Sequence, residues 1–165
     1  AMLSQDGVTG WSEAKRLFEE SLVLSTELGD RRQMGITLNY LGNVTYALGD
    51  YPTAKDYFLT ALRLATKTQL TPLALDALVG LATLLWRQPG TMTPFTHSMN
   101  QQQAAELLDL VLHHPATTQE TKDKVQSLWN ELAAMLTSAQ LVAIQERGHA
   151  RTLEEITTEL LAEYR

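Results

Sequence analysis

The 165-residue chain contains no cysteine, which excludes disulfides, thiolate-bound zinc or iron–sulfur groups and thiol catalysis. That absence fits a reducing compartment. Basic residues are few: 13 Lys+Arg stand against 19 Asp+Glu, for a formal charge of −6. A large nucleic-acid footprint needs concentrated Lys and Arg, so the acidic balance argues against one. No run approaches the ~18 uninterrupted apolar residues of a membrane helix. The N-terminus, Ala1-Met2-Leu3-Ser4-Gln5-Asp6, lacks the basic flank and apolar core of a signal peptide. These absences point to a cytoplasmic protein. What is present is globular composition, 44% hydrophobic and 19% charged. A chain of this length buries roughly 70% of the surface its unfolded form exposes.

Chemistry-bearing groupings are also missing. The histidines His97, His113, His114 and His149 show no His-Glu-x-x-His spacing. His113 and His114 are adjacent, so on a helix they point about 100° apart and do not converge on one ion. They precede Pro115, where polar or cationic residues suit a helix end. Glu13, Glu19, Glu20, Glu106, Glu154 and Glu155 occupy polar positions of amphipathic patterns. There is no Gly-x-Ser-x-Gly elbow and no phosphate loop. The reading is of a chain without catalytic, cofactor or metal residues, and without a cofactor.

Sliding the sequence against itself by 40 residues superposes Trp11 on Tyr51, Ala14 on Ala54, and Leu17-Phe18 on Tyr57-Phe58. Leu22 then falls on Leu62, Leu24 on Leu64, Leu38 on Leu78, Leu41 on Leu81 and Gly42 on Ala82. A third copy follows ten inserted residues, with Ala104 and Leu107-Leu108 where Ala54 and Tyr57-Phe58 stood. Agreement of aromatic, small and apolar positions in one register marks an internal repeat.

Apolar spacing of three and four predicts helices over 11–28, 31–48, 51–68, 72–87, 100–113, 118–136, 138–147 and 152–164. Gly29-Asp30 and Gly49-Asp50 supply a helix-ending glycine and a cap for the next helix. Asn100-x-x-Gln103, Thr117-x-x-Glu120 and Thr152-x-x-Glu155 read as capping boxes. No alternating strand pattern occurs. The expectation is an all-α fold of about seven or eight helices in stacked antiparallel pairs. Residues 88–99, with Pro89, Gly90 and Pro94, read as an insertion loop. Either the loop is merely tolerated, or Met92, Phe95 and Met99 fold back as a plug or partner contact.

The second copy reads Leu38-x-x-Leu41-Gly42 followed by Ala54-x-x-x-Phe58-x-x-Ala61, which resembles the tetratricopeptide repeat. The first copy supplies Ala14, Phe18 and Ser21; the third supplies Leu78, Leu81 and Ala82, then Ala104, Leu108 and Val111. Thr45 replaces the usual Tyr and Val111 the usual Ala, and the period of 40 exceeds the standard 34. The long period is similar to the helical arms of bacterial STAND-class signalling ATPases and associated transcription regulators. The segment from Ala143 through Glu146-Arg147-Gly148-His149 to Leu153-Glu154-Glu155 is similar to the close of such arms.

The resemblance implies a right-handed α-solenoid: residues 1–10 disordered or cloning-derived, repeats over 11–147, and a capping helix over 148–165. It implies a sensor or interaction arm, with nucleotide hydrolysis and DNA binding in other domains of a parent chain. Its partner would be a protein, a peptide or a small effector, with no direct nucleic-acid or membrane contact. The family's inward positions fall on Ile36, Asn39, Asn43, Tyr46 and Ala47, and on Asp76, Val79, Thr83, Trp86 and Arg87. Amides, aromatics and an arginine suit peptide hydrogen bonding, although Tyr46 and Trp86 suit packing between repeats equally well. Asn43 matches one residue of a carboxylate clamp, but Asn39 replaces the required Lys, so that clamp is not expected. The alternative to a binding arm is an oligomerisation scaffold with an empty groove. An unpaired first helix also predicts a piece cut from a longer protein.

Overall fold

A computed structural model describes residues 5–87 and 94–164. Among the described residues there are eight helices and no strand, as the periodicity requires. They are α1 (Gln5–Leu28), α2 (Arg31–Ala47), α3 (Tyr51–Thr68), α4 (Thr71–Arg87), α5 (Pro94–His113), α6 (Gln119–Ala133), α7 (Ser138–Ala150) and α8 (Leu153–Glu163). Two compact units divide within α4, the N-terminal unit ending at Gly80 and the C-terminal unit beginning at Leu81.

The turns of the N-terminal unit work as their residues dictate. Gly29 and Gly49 take φ of +69° and +85°, which only glycine adopts without strain. Asp30 then caps α2, accepting from the Gln33 N–H at 3.0 Å. Asp50 caps α3, accepting from the Thr53 N–H at 3.3 Å. α2 packs against both α1 and α3. Its buried Leu38, Leu41 and Val44 meet a core with Ala54, Phe58, Ala61, Leu62 and Ala65 of α3. Phe58 explains the small positions of the motif. A Cβ on Gly42 of α2 would stand 2.5 Å from its ring, and one on Gly80 of α4 would stand 2.5 Å from the ring's Cδ1 and Cζ. The ring is therefore held between two helix backbones. Thr45, where the motif has Tyr, is buried and donates its hydroxyl to the Leu41 carbonyl at 2.5 Å.

In the C-terminal unit α5 packs against α6 and α7. Ala104, Leu107, Leu108 and Val111 of α5, Val125, Leu128 and Leu132 of α6, and Ile144 of α7 are buried. Ile156 and Leu160 of α8 are buried too. Arg147 reaches Glu106 at 2.8 Å, while Arg151 pairs with Glu159.

Several boundaries differ from the sequence reading. α1 begins at Gln5, so residues 5–10 are helical rather than disordered, despite Gly7 and Gly10. Extending an existing helix gains one hydrogen bond per residue fixed, enough to carry it through weak formers. α5 begins at Pro94, which places 94–99 in the helix and not in the loop. Proline suits the first helical position, because its missing N–H has no partner there anyway. Asn100 is consequently mid-helix and not a cap. Thr118, not Thr117, caps α6; Thr117 is buried and donates to the Val111 carbonyl. Thr152 and Glu155 form the expected capping box, and Thr137 with Gln140 form another that the sequence reading missed. α7 runs to Ala150, three residues into the expected terminal cap. Residues 88–93, Met92 included, and the Phe95 side chain lie outside the described residues. Met99 is exposed.

Candidate functional site

The N-terminal unit carries an open cavity of about 350 Å³ where the first turns of α2 and α4 lie side by side. Arg32 and Ile36 line it from α2; Leu70, Pro72, Leu73 and Asp76 line it from the start of α4. Local chemistry sets this geometry. Gln69 ends α3 in the left-handed region at φ 56°, and the Leu70 N–H returns to the Ala65 carbonyl at 3.0 Å. The chain then re-enters helix at Thr71 with Pro72 near its start. Ile36 follows Arg32 by one turn, as Asp76 follows Pro72, so each pair shares a helix face. Gly35 lets α4 approach, since a Cβ there would collide with the Leu73 side chain.

Leu70 and Ile36 are half-buried and Leu73 buried, whereas Arg32, Pro72 and Asp76 are exposed. The cavity thus has an apolar floor and one charge of each sign at its edge. Asn39, one turn beyond Ile36, is buried and donates its Nδ2 to the Leu73 carbonyl at 3.3 Å. Among the described residues its Oδ1 has no hydrogen-bond partner.

The inward positions expected from sequence divide between the two units. In the N-terminal unit, Ile36 and Asp76 line the same cavity, Asn39 braces α2 to α4, and Asn43 is exposed one turn further along. Tyr46 is half-buried with its ring 5.4 Å from that of Tyr51. In the C-terminal unit Thr83 is half-buried and Trp86 buried. Arg87 lies 4.7 Å over the Trp86 ring and pairs with Glu131 at 2.5 Å. Sequence reasoning missed Arg32, Leu70, Pro72 and Leu73. Arg32 was within reach, standing four residues before Ile36 in the same inward register.

His97, His113 and His114 engage their own turns. His113 Nδ1 lies 2.9 Å from the Asp109 carbonyl, and His114 Nδ1 accepts from the Ala116 N–H at 3.1 Å. His97 Nε2 lies 3.1 Å from Gln101 Nε2. Among the described residues, no three His, Asp or Glu side chains are placed to hold a metal ion. Nor is any helix among them long and apolar enough to cross a membrane.

Residues 10–67 match the tetratricopeptide-repeat family. The match spans most of α1, α2 and nearly all of α3, the same helices that carry the 40-residue register. Tetratricopeptide repeats generally mediate protein–protein interactions and are typically non-catalytic. No curated protein and no solved structure matches the chain.

Proposed function

We propose that the chain is a non-enzymatic helical-repeat module that binds a protein or peptide on the α2/α4 face of its N-terminal unit. The cavity between Arg32 and Asp76 carries this reading. Its volume falls within the range of about 300–1,000 Å³ usual for binding sites. Its apolar floor, with polar groups at the edge, suits an apolar side chain flanked by groups of opposite charge. Asn43 and Tyr46 extend this surface along α2. On α4 of the C-terminal unit, Thr83, Trp86 and Arg87 form a second proposed contact.

The repeats occupy 11–147 and the terminal helix caps them. By its long period the module serves as the sensor arm of a larger bacterial signalling or transcription-regulatory protein in the cytoplasm. A phosphate-loop ATPase encoded upstream would support that assignment, and a stand-alone reading frame would sink it. The binding site is tested by selecting peptides from a displayed random library on the immobilised chain. The selected peptides are expected to lose at least tenfold affinity, about 1.4 kcal/mol, for Arg32→Glu and for Asp76→Lys. Undiminished binding to both variants would remove the cavity as the site.

A further inference from the structure

The cavity between α2 and α4 holds its two charges at opposite ends. Leu73 of α4 lies against Gly35, and its carbonyl accepts from Asn39, so it stands level with the middle of that turn of α2. Further along, Gly42 of α2 and Gly80 of α4 close on the same Phe58 ring. The two helices therefore advance in the same direction. Arg32 precedes the level of Leu73 by about five residues and Asp76 follows it by about three, a separation of about 12 Å along the helix axes. Ile36 and Pro72 line the cavity between them.

The surrounding charges give these ends opposite tasks. Arg16, Arg87, Arg147 and Arg151 each pair with a glutamate, whereas among the described residues no carboxylate pairs with Arg32. Asp30, two residues earlier, is taken up by the Gln33 N–H. α2 has no acidic residue, and α4 has no basic one before Arg87. One end of the cavity thus attracts a carboxylate and the other repels one. Residues 1–4, 88–93 and 165 contain no acidic side chain and so supply none to Arg32.

We propose that the cavity reads an extended segment of a partner protein in which an acid and a base stand four residues apart with a large aliphatic residue midway. In an extended chain residues i, i+2 and i+4 share a face, and four steps of about 3.3 Å span about 13 Å, close to the separation of the two charges. The aliphatic side chain meets Ile36, Leu70 and Leu73, the acid meets Arg32 and the base meets Asp76. A like charge at either end repels, which rejects segments of the wrong pattern. Arg32 and Asp76 are thus specificity-determining residues. Resting on the α2/α4 reading, this recognition adds a charge pattern and a spacing to it.

A displayed random peptide library is panned on the immobilised full chain and, in parallel, on its Arg32→Glu and Asp76→Lys variants. Peptides enriched on the native chain are expected to show the acid, the midway aliphatic residue and the base at this spacing. On Arg32→Glu a second base should replace the acid, and on Asp76→Lys a second acid should replace the base, the aliphatic residue persisting in both. By fluorescence anisotropy, the best native-selected peptide should bind at least tenfold more weakly once its acid and base are moved to two residues apart. Arg32 and Asp76 are exposed, so both variants should retain native helicity by circular dichroism. Asp76→Asn, which removes the charge alone, should lose the preference for a base without gaining one for an acid. If the enriched peptides lose affinity for both charge-reversed variants yet lack the pattern, or if Arg32→Glu selects the same pattern as the native chain, the cavity stands as the site and the proposed recognition is overturned. If they bind both variants undiminished, or none is enriched, the site itself falls and the recognition with it. A dimer in light scattering that Arg32→Glu dissociates overturns it too, because a second copy would then hold the cavity.

Discussion

Replacing Gly42 by alanine sets two known effects against each other, and the geometry decides which one wins. In an unobstructed helix Gly→Ala stabilises by about 1 kcal/mol through backbone entropy. At Gly42 the new methyl would stand 2.5 Å from Phe58 Cε1 and 2.7 Å from Cδ1 and Cζ, more than 1 Å inside ordinary carbon contact. The ring has no room to retreat, because Gly80 closes on it and Phe58 is only 2% exposed. Overpacking of this kind costs about 1–3 kcal/mol, so the net change should be a loss of about 0–2 kcal/mol. Gly80→Ala should behave alike. Gly10→Ala, with nothing within 4 Å of the new methyl, should instead stabilise. Urea unfolding followed by helical circular dichroism reads each change as a shifted midpoint at constant slope. The cycle with Phe58→Leu adds a sharper criterion. The smaller side chain should relieve the collision, giving a coupling energy of about 0.5–3 kcal/mol between sites 42 and 58. A Gly42→Ala protein more stable than the native one, or an additive cycle, would refute the backbone-clamped ring.

Other outcomes follow from single residues. Asn39→Ala should destabilise by about 0.5–1.5 kcal/mol, since it removes the side-chain hydrogen bond that ties α2 to the Leu73 carbonyl of α4. Exposed Asn43→Ala should stay within about 0.5 kcal/mol by thermal unfolding. Gln69→Gly should raise the melting temperature, because glycine takes the left-handed cap at φ 56° without the side-chain penalty of up to about 1–2 kcal/mol. The Thr53 hydroxyl and N–H hold the Asp50 carboxyl below its ordinary range. Its folded pKa is thus below its unfolded value, so its contribution is present above that unfolded value and fades as pH falls. Asp50→Asn keeps a cap without the charge, so its stability should fall less steeply between about pH 5 and 2; an unchanged slope in acid titration would count against the cap.

What the residues determined alone was local. Helix number, the two Gly-Asp turns and the Thr152 box were legible because periodicity and caps act within one or two turns of chain. Pro94 misled for a local reason as well, since one proline serves equally as a breaker and as a helix's first residue. The repeat register was legible for Phe58 and Gly42, but Gly80 and Gly35 gave no signal, because their need for no side chain comes from Phe58 and Leu73 on other helices. Tertiary structure decided the site in the same way. It brought Arg32 on α2 beside Asp76 on α4, assigned Asn39 to bracing the Leu73 carbonyl, and laid Arg87 across Trp86. It also separated leucines that look alike in sequence: Leu62 is buried and Leu24 exposed, although both fit the helical pattern. Periodicity gives a helix an apolar face, and only its neighbours determine how much of that face is covered.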